Sequence, residues 1–234
     1  MANIVAQGVP WFPLLVGFAP SVFWLAFWLQ TDKDHPEPFS LLLISFLIGG
    51  ASVLFATFIQ QGLKGVITDP SQQVVAWAAV EELLKFTVFY LVAYNSPYND
   101  EAIDPAIYMI VVALGFAAVE NILYVLQPSI VGNGTAVILT GGLRFFGSTL
   151  LHTISSCFIG ITIGVMSRNM RPMAIVLGIG GAIFLHATFN FFILKNDTAS
   201  LLQIYGYLWI AAIISHIILE KLRRMPMPAA LNLS

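Results

Sequence analysis

The chain has 234 residues, 58% of them hydrophobic and only 9% charged, with a mean hydropathy of +0.86. A soluble domain carries roughly 25% charged residues, so this sequence cannot cover a water-facing surface and describes an integral membrane protein. The formal net charge of −2, with no basic patch beyond residues 221–224, excludes a nucleic-acid partner, and the one cysteine, Cys157, excludes an internal disulfide or a cysteine-rich metal site and reads as buried packing.

Repeated long apolar runs predict helices, because lipid leaves only helices and closed barrels with a satisfied backbone, and the short alternating segments of a barrel do not dominate. No basic start and cleavage site marks a removable signal peptide, so the first run, 9–29, is expected to stay as a spanning helix, with Trp11 and Trp28 at the two interfaces and Pro20 as a point of bending. Residues 31–38 are charged and proline-containing and read as an aqueous loop in which His35 is solvated. The second span is 39–60, where Gly49 and Gly50 allow close helix contact or a kink. The third is 72–93, followed by an acidic loop to Asp104, with Pro105 at a helix start. The fourth is 106–126, and a polar connection covers 127–135.

The fifth segment, 136–166, is longer than one crossing needs. Two arrangements are open: one tilted helix, or a lateral or re-entrant helix within 129–147 followed by a span from Phe146. The sixth span, 173–194, holds Gly178, Gly180 and Gly181, and the seventh is 201–219, with His216 near an interface. The expected fold is an all-α polytopic membrane bundle of about seven transmembrane spans, eight helices with the lateral one, forming a single catalytic domain over 9–220 with a short cytoplasmic tail, 221–234. Alternating loops put Lys33, Arg168, Arg171, Lys221, Arg223 and Arg224 on one side and Lys64 and Lys195 on the other. The positive side faces the cytoplasm. The expected protein is therefore a multi-pass cell-membrane protein with its N-terminus outside and its C-terminus inside.

Within the third span stand Glu81, Glu82 and Lys85. Each charge at the bilayer centre costs roughly 2.5–3.5 kcal/mol on insertion scales, so three of them need partners or water. Spacings of three and four residues let Lys85 meet either glutamate, and Glu81 shares its face more directly. Two carboxylates beside one ammonium leave an acidic excess, so one can stay ionised while the other carries or shares a proton. A structural salt bridge, chemistry and transport are all consistent with the cluster alone.

Further ionisable and amide side chains lie inside other spans: Glu120 and Asn121, Arg144 and His152, His186 and Asn190. The depths allow them to converge on a water-filled cavity opening to the outer face. Such a set suits acid–base hydrolysis of a peptide bond, in which Glu81 or Glu82 takes a proton from water and Asn190 or a histidine stabilises the oxyanion. Ser148, four residues before His152, has no evident role as a nucleophile. Glu81, Glu120, His152 and His186 are also valid zinc ligands, although no His-Glu-x-x-His motif is present. No cofactor is required by this reading, and zinc stays open. The rivals are a non-enzymatic scaffold or chaperone for single-span partners and an ion-coupled transporter, the latter lowered by the lack of an inverted repeat.

These residues carry a resemblance. Glu81-Glu82-Leu83-Leu84-Lys85, the run from Gly115 and Phe116 to Glu120, Asn121 and Tyr124, the Arg144 and His152 pair, and His186 with Asn190 follow one another as in the PrsW-type intramembrane proteases. That family lies within the wider group of CAAX prenyl endopeptidases and bacteriocin-processing relatives. Asp104, Tyr108 and the acidic loop 32–38 also fit, while Pro105 stands where the family has a glycine. The resemblance implies a glutamate-dependent intramembrane endopeptidase, although a metal-dependent classification has also been applied. It implies Glu81 and Glu82 as the central pair, Glu120, His152, His186 and Asn190 completing the site, and Lys85, Asn121 and Arg144 in support. The implied partners are the lipid bilayer and a membrane-embedded protein substrate, typically a single-span anti-sigma factor cut near the external face to start a signalling cascade. A homo-oligomer stays open.

Overall fold

Apolar runs of this length bury their own backbone polar groups by coiling. In the computed structural model, which describes residues 11–33, 35–130, 132–166, 168–195 and 198–225, no strand occurs among the described residues. The helices are α1 (Trp11–Leu29), α2 (Phe39–Lys64), α3 (Pro70–Val92), α4 (Asp104–Ile130), α5 (Gly134–Leu143), α6 (Thr149–Val165), α7 (Arg171–Lys195) and α8 (Thr198–Leu222). A π turn, Arg144–Ser148, joins α5 to α6, so the helical backbone is unbroken across Gly134–Val165. Of the two arrangements open for this segment, the continuous one is found.

Six of these stretches are long and apolar enough to cross a membrane. The 23-residue α3 has the length but carries Glu81, Glu82 and Lys85 at its centre. The expected polytopic all-α bundle is what the chain forms. The start of the first span at Val9 and the tail from residue 226 onward lie outside the described residues.

Local chemistry sets the helix ends. The Asp69 side chain accepts the Gln72 amide at 2.8 Å, with Pro70 in the first turn, where its missing N–H is harmless. The Asn133 side chain accepts the Ala136 amide at 3.0 Å at the start of α5, after a turn at Gly132 with φ of 71°, a conformation that favours glycine. α4 runs past the expected end at 126 and through Pro128 to Ile130. A proline in the last turn removes a single helical hydrogen bond, which the helix tolerates there.

α4 is the central helix: residues 104–118 are all buried. It packs on α1, α2 and α6, while α6 also packs on α7 and α8, and α3 bridges α2 to α7. The outer helices turn Leu15, Phe55, Phe58, Phe184 and Ile213 outward, as lipid requires. Close backbone approach supplies much of the packing inside a membrane. A Cβ on Gly49 would overlap the Val112 carbonyl, and one on Gly115 would overlap the Phe46 carbonyl. The Gly49-Gly50 pair therefore serves contact between α2 and α4. Gly178 and Gly181 of α7 likewise meet Ile159 and Phe158 of α6.

Two readings shift and a third holds. Trp28 is 1% exposed rather than interfacial; its ring packs against Phe27 and His216, with centroids 5.1 and 6.0 Å away. His35 is solvent-exposed as expected but is bonded to Glu101 at 2.5 Å. Cys157 is fully buried, as expected of a packing residue.

Candidate active site

α3 presents its charged residues to neighbouring helices, not to lipid: Glu81 is 7% exposed, and Glu82 and Lys85 are 0% exposed. Their partners differ. Glu82 accepts from Lys85 Nζ at 2.7 Å, Ser155 Oγ at 2.9 Å and Ser156 Oγ at 3.1 Å, and its Oε1 is 2.7 Å from His186 Nδ1. Its charge is therefore fully compensated. Glu81 accepts only from Gln60 Nε2, at 2.8 Å on Oε1. Its Oε2 is buried without a hydrogen-bond partner. Lys85 thus pairs with Glu82, three residues away, and not with Glu81, whose face it was expected to share.

Two histidines close on the free oxygen. Glu81 Oε2 is 3.6 Å from His186 Nε2 and 3.9 Å from His152 Nδ1. The His186 ring is held by Glu82 through Nδ1, which leaves the Nε2 lone pair turned towards Glu81. His152 Nε2 lies 2.8 Å from Glu120 Oε2, and its Nδ1 lies 2.9 Å from Lys85 Nζ. A lysine ammonium only donates, so Nδ1 accepts and Nε2 carries the proton towards Glu120. The two imidazole rings meet edge to face, 5.0 Å apart.

Arg144, from the π turn, donates to both Glu120 Oε2 and Asn121 Oδ1. Its guanidinium lies 4.1 Å from the Tyr124 ring centroid, and Asn121 Nδ2 donates to Thr149 Oγ1 at 2.9 Å. A π turn widens one turn of helix and often marks a functional position; here it carries the arginine to Glu120. Three carboxyls, Glu81, Glu82 and Glu120, thus face two fixed cations, Lys85 and Arg144. The carboxyl left without a fixed counter-charge is Glu81.

Glu81, Glu120, Arg144, His152, His186 and Asn190 all line one cavity of about 410 Å³. Its wall extends to Gln61 and Lys64 at the end of α2, Val74 at the start of α3 and Leu194 at the end of α7, so it lies towards the face where α2 and α7 end. Ser148 lines it as well. The structure therefore brings the glutamates, histidines, Arg144 and Asn190 singled out as site candidates to one place, at the cavity or just behind its wall. Glu82, Lys85 and Asn121 stand behind the cavity wall. Sequence reading missed Gln60, Thr149, Ser155 and Ser156. Each is a polar residue in or at the end of a spanning segment, and that is the signal by which they could have been found.

The donor set can be tested against a metal ion. One atom each of Glu81, His152 and His186 lies within 4.8 Å of the others. Donors around tetrahedral zinc sit about 3.3 Å apart, close to the two distances from Glu81 Oε2. One anionic oxygen without a partner, and a histidine whose other nitrogen is held by a carboxylate, suit such an ion. A metal at His152 Nδ1 would take the place of the Lys85 hydrogen bond. Glu120, the fourth candidate ligand, instead bonds to the opposite nitrogen of His152 and so backs that residue. The three residues fit zinc.

Fold and site together define a multi-pass helical membrane protein with a buried glutamate–histidine centre at a cavity. Residues 37–217 match the family described as PrsW family intramembrane metalloprotease. The chain belongs to that family. It is similar to proteins named Protease PrsW from Geobacillus kaustophilus, 30% identical over 77% of this chain and 79% of the relative; from Oceanobacillus iheyensis, 28% identical over 86% and 92%; and from Bacillus subtilis, 27% identical over 82% and 88%. No solved structure matches the chain at a significant level.

Proposed function

We propose that the chain is an endopeptidase that hydrolyses a peptide bond of a membrane-embedded protein in the cavity beside Glu81. The observation that carries this is the Glu81 carboxylate oxygen, buried and unpartnered, 3.6 and 3.9 Å from two histidine nitrogens. Such an oxygen is placed to accept the proton of an attacking water. Glu120, bonded to Arg144 and His152, positions the water and shares its proton. Asn190 faces the same space and offers an amide donor to the developing oxyanion. Glu82 and Lys85 orient the two histidines from behind.

A zinc ion held by Glu81, His152 and His186 would polarise the scissile carbonyl and acidify a bound water. Were the ion held there, the Glu81 oxygen would serve as a ligand and Glu120 would be the carboxylate left to take the proton. The substrate class is a single-span membrane protein, an anti-sigma factor in the reading implied by the resemblance. The N-out, C-in orientation drawn from the loop charges turns the cavity to the external face, which suits a first cut there.

The test uses the purified chain in proteoliposomes with a single-span reporter. The wild type cleaves, and Glu81→Gln lowers the rate by about a hundred- to ten-thousandfold. Cleavage by Glu81→Gln at the wild-type rate overturns the proposal, as does reporter binding without cleavage by the wild type, which would favour a scaffold. Activity lost to a chelator and restored by zinc assigns the metal-bound form; activity indifferent to chelation assigns the metal-free one.

A further inference from the structure

The other end of α4 holds a second carboxyl cluster that the proposed reaction does not use. Asp32 ends the short 3-10 turn after α1, Glu101 lies in the loop between α3 and α4, and Asp104 opens α4. One oxygen of each lies within 4.8 Å of the others. Asp32 is 2% exposed and Asp104 is 1% exposed. Asp104 Oδ2 accepts the amides of Asp100, at 2.8 Å, and Glu101, at 2.5 Å. By distance and angle its Oδ1 and both oxygens of Asp32 are buried without a full hydrogen bond, with the Glu37 amide near Asp32 and the Glu37 carboxyl near Asp104 as their looser neighbours. Glu101 pairs with His35, and among the described residues no lysine or arginine pairs with any of the three. Glu37, which accepts the Tyr108 hydroxyl, stands beside Asp104 and adds a fourth carboxyl.

Burying carboxylates without donors or cations is unfavourable. Here three chain segments converge on carboxylates that have only two backbone amides and the His35 ring as close partners, and the atoms they offer an ion are oxygens alone. An all-oxygen, multiply anionic set suits hard ions of the calcium and magnesium kind, not the nitrogen and sulfur preference of zinc or copper. We propose that Asp32, Glu101 and Asp104 form a binding site for a hard divalent cation, which ties the end of α1 to the α3–α4 loop and the first turn of α4. The ion is distinct from any held by Glu81 and the histidines. Asp104 and Glu120 are 16 residues apart on α4, about 24 Å at 1.5 Å per residue.

The probe is terbium(III), a luminescent stand-in for calcium, added to the chelator-stripped full chain in detergent. Trp28, four residues before Asp32, and Tyr108, four after Asp104, are the sensitising rings. Saturable sensitised emission, displaced by calcium or magnesium, is expected. Asp32→Asn and Glu101→Gln should each weaken it about tenfold or more, since ligand charge tunes affinity. The double variant Glu81→Gln, His186→Gln should bind terbium as the wild type does. If Asp32→Asn does not fold, Glu101→Gln decides alone, because that loop side chain is 29% exposed. Absence of emission from the wild type means that the carboxyls hold shared protons, and overturns the proposal. Emission unchanged in both single variants, or lost in the double variant, overturns it as well. None of these readouts depends on proteolysis.

Discussion

The two ends of α4 solve the same problem in opposite ways. Near its far end Glu120 is bonded to Arg144 and His152, and across the cavity Glu82 gathers a lysine, a histidine and two serines. At its first residue Asp104 joins Asp32 and Glu101 with no fixed lysine or arginine among the described partners. A buried charge network that is complete rigidifies its surroundings, and one left incomplete carries the cost of its unpaired groups. Glu81 belongs to the first region but behaves like the second: it is the member of a compensated network whose oxygen is left free. Among the carboxylates of the described residues, those with unpartnered buried oxygens mark the two places where we expect this protein to bind or react.

The largest effect that tests this contrast comes from separating the adjacent glutamates. Glu82→Gln leaves Lys85 buried beside an uncharged neighbour and His186 without its anchor. Breaking a buried pair costs about 3–5 kcal/mol, so the unfolding midpoint in detergent should fall steeply and cleavage should vanish with it. Glu81→Gln strands no fixed cation and should keep the stability within about 1 kcal/mol of the wild type while abolishing cleavage. Equal destabilisation by the two substitutions, read by fluorescence-monitored melting, would erase the distinction.

At the opposite end the sign should reverse. In chelator-treated protein, Asp32→Asn removes a repulsive buried charge and should stabilise the fold by about 1 kcal/mol, read as a raised midpoint. The same substitution should remove the further stabilisation that calcium gives the wild type. A midpoint lowered by Asp32→Asn in the absence of cations would show that this end is compensated in some other way.

A finer effect concerns the fork made by Arg144. Its guanidinium serves Glu120 and Asn121 together and stacks on Tyr124, a task for a planar donor that lysine's point charge cannot repeat. Arg144→Lys should keep the fold and cost roughly 10–100-fold in reporter cleavage, the range seen when the partners of a ligating or reacting residue are disturbed. Wild-type kinetics in this variant would reduce Arg144 to a generic counter-charge.

The two regions were not equally legible in the sequence. Glu81, Glu82, Glu120, His152 and His186 stand out because a charge in an apolar run has few innocent explanations, and their depths in four spans were enough to predict that they meet. The spans themselves follow from hydropathy, and only their ends moved, as where α4 passes through Pro128. The partner choice of Lys85 was not legible. Adjacent helical residues differ by about 100° in direction, and which glutamate meets the lysine depends on Ser155, Ser156 and His186 arriving from other helices. The acidic cluster was less visible still. Asp32, Glu101 and Asp104 occur in or beside loops, where charge is ordinary, and their burial comes from tertiary packing that no local pattern announces.

The smallest expected effect belongs to Glu37, in the loop before α2 and outside the spanning helices. Burial, joined by the nearby Asp104 and Asp32, pushes its carboxyl up to about 8, against the Tyr108 hydroxyl, which favours the charge. The folded protein therefore holds a proton that the unfolded chain releases above about 4.5. The stability linked to this group is full below that value and is lost as pH rises through about 8. Chelator-treated wild type should show a falling melting midpoint from pH 6 to roughly 8.5, and Glu37→Gln should flatten the fall. The informative quantity is the difference between the two proteins at each pH. The effect is modest because Glu37 is only half-buried and water screens it. A pH profile unaltered by Glu37→Gln would locate the titration outside Glu37, and would leave Glu37 as a bonding partner of Tyr108 alone.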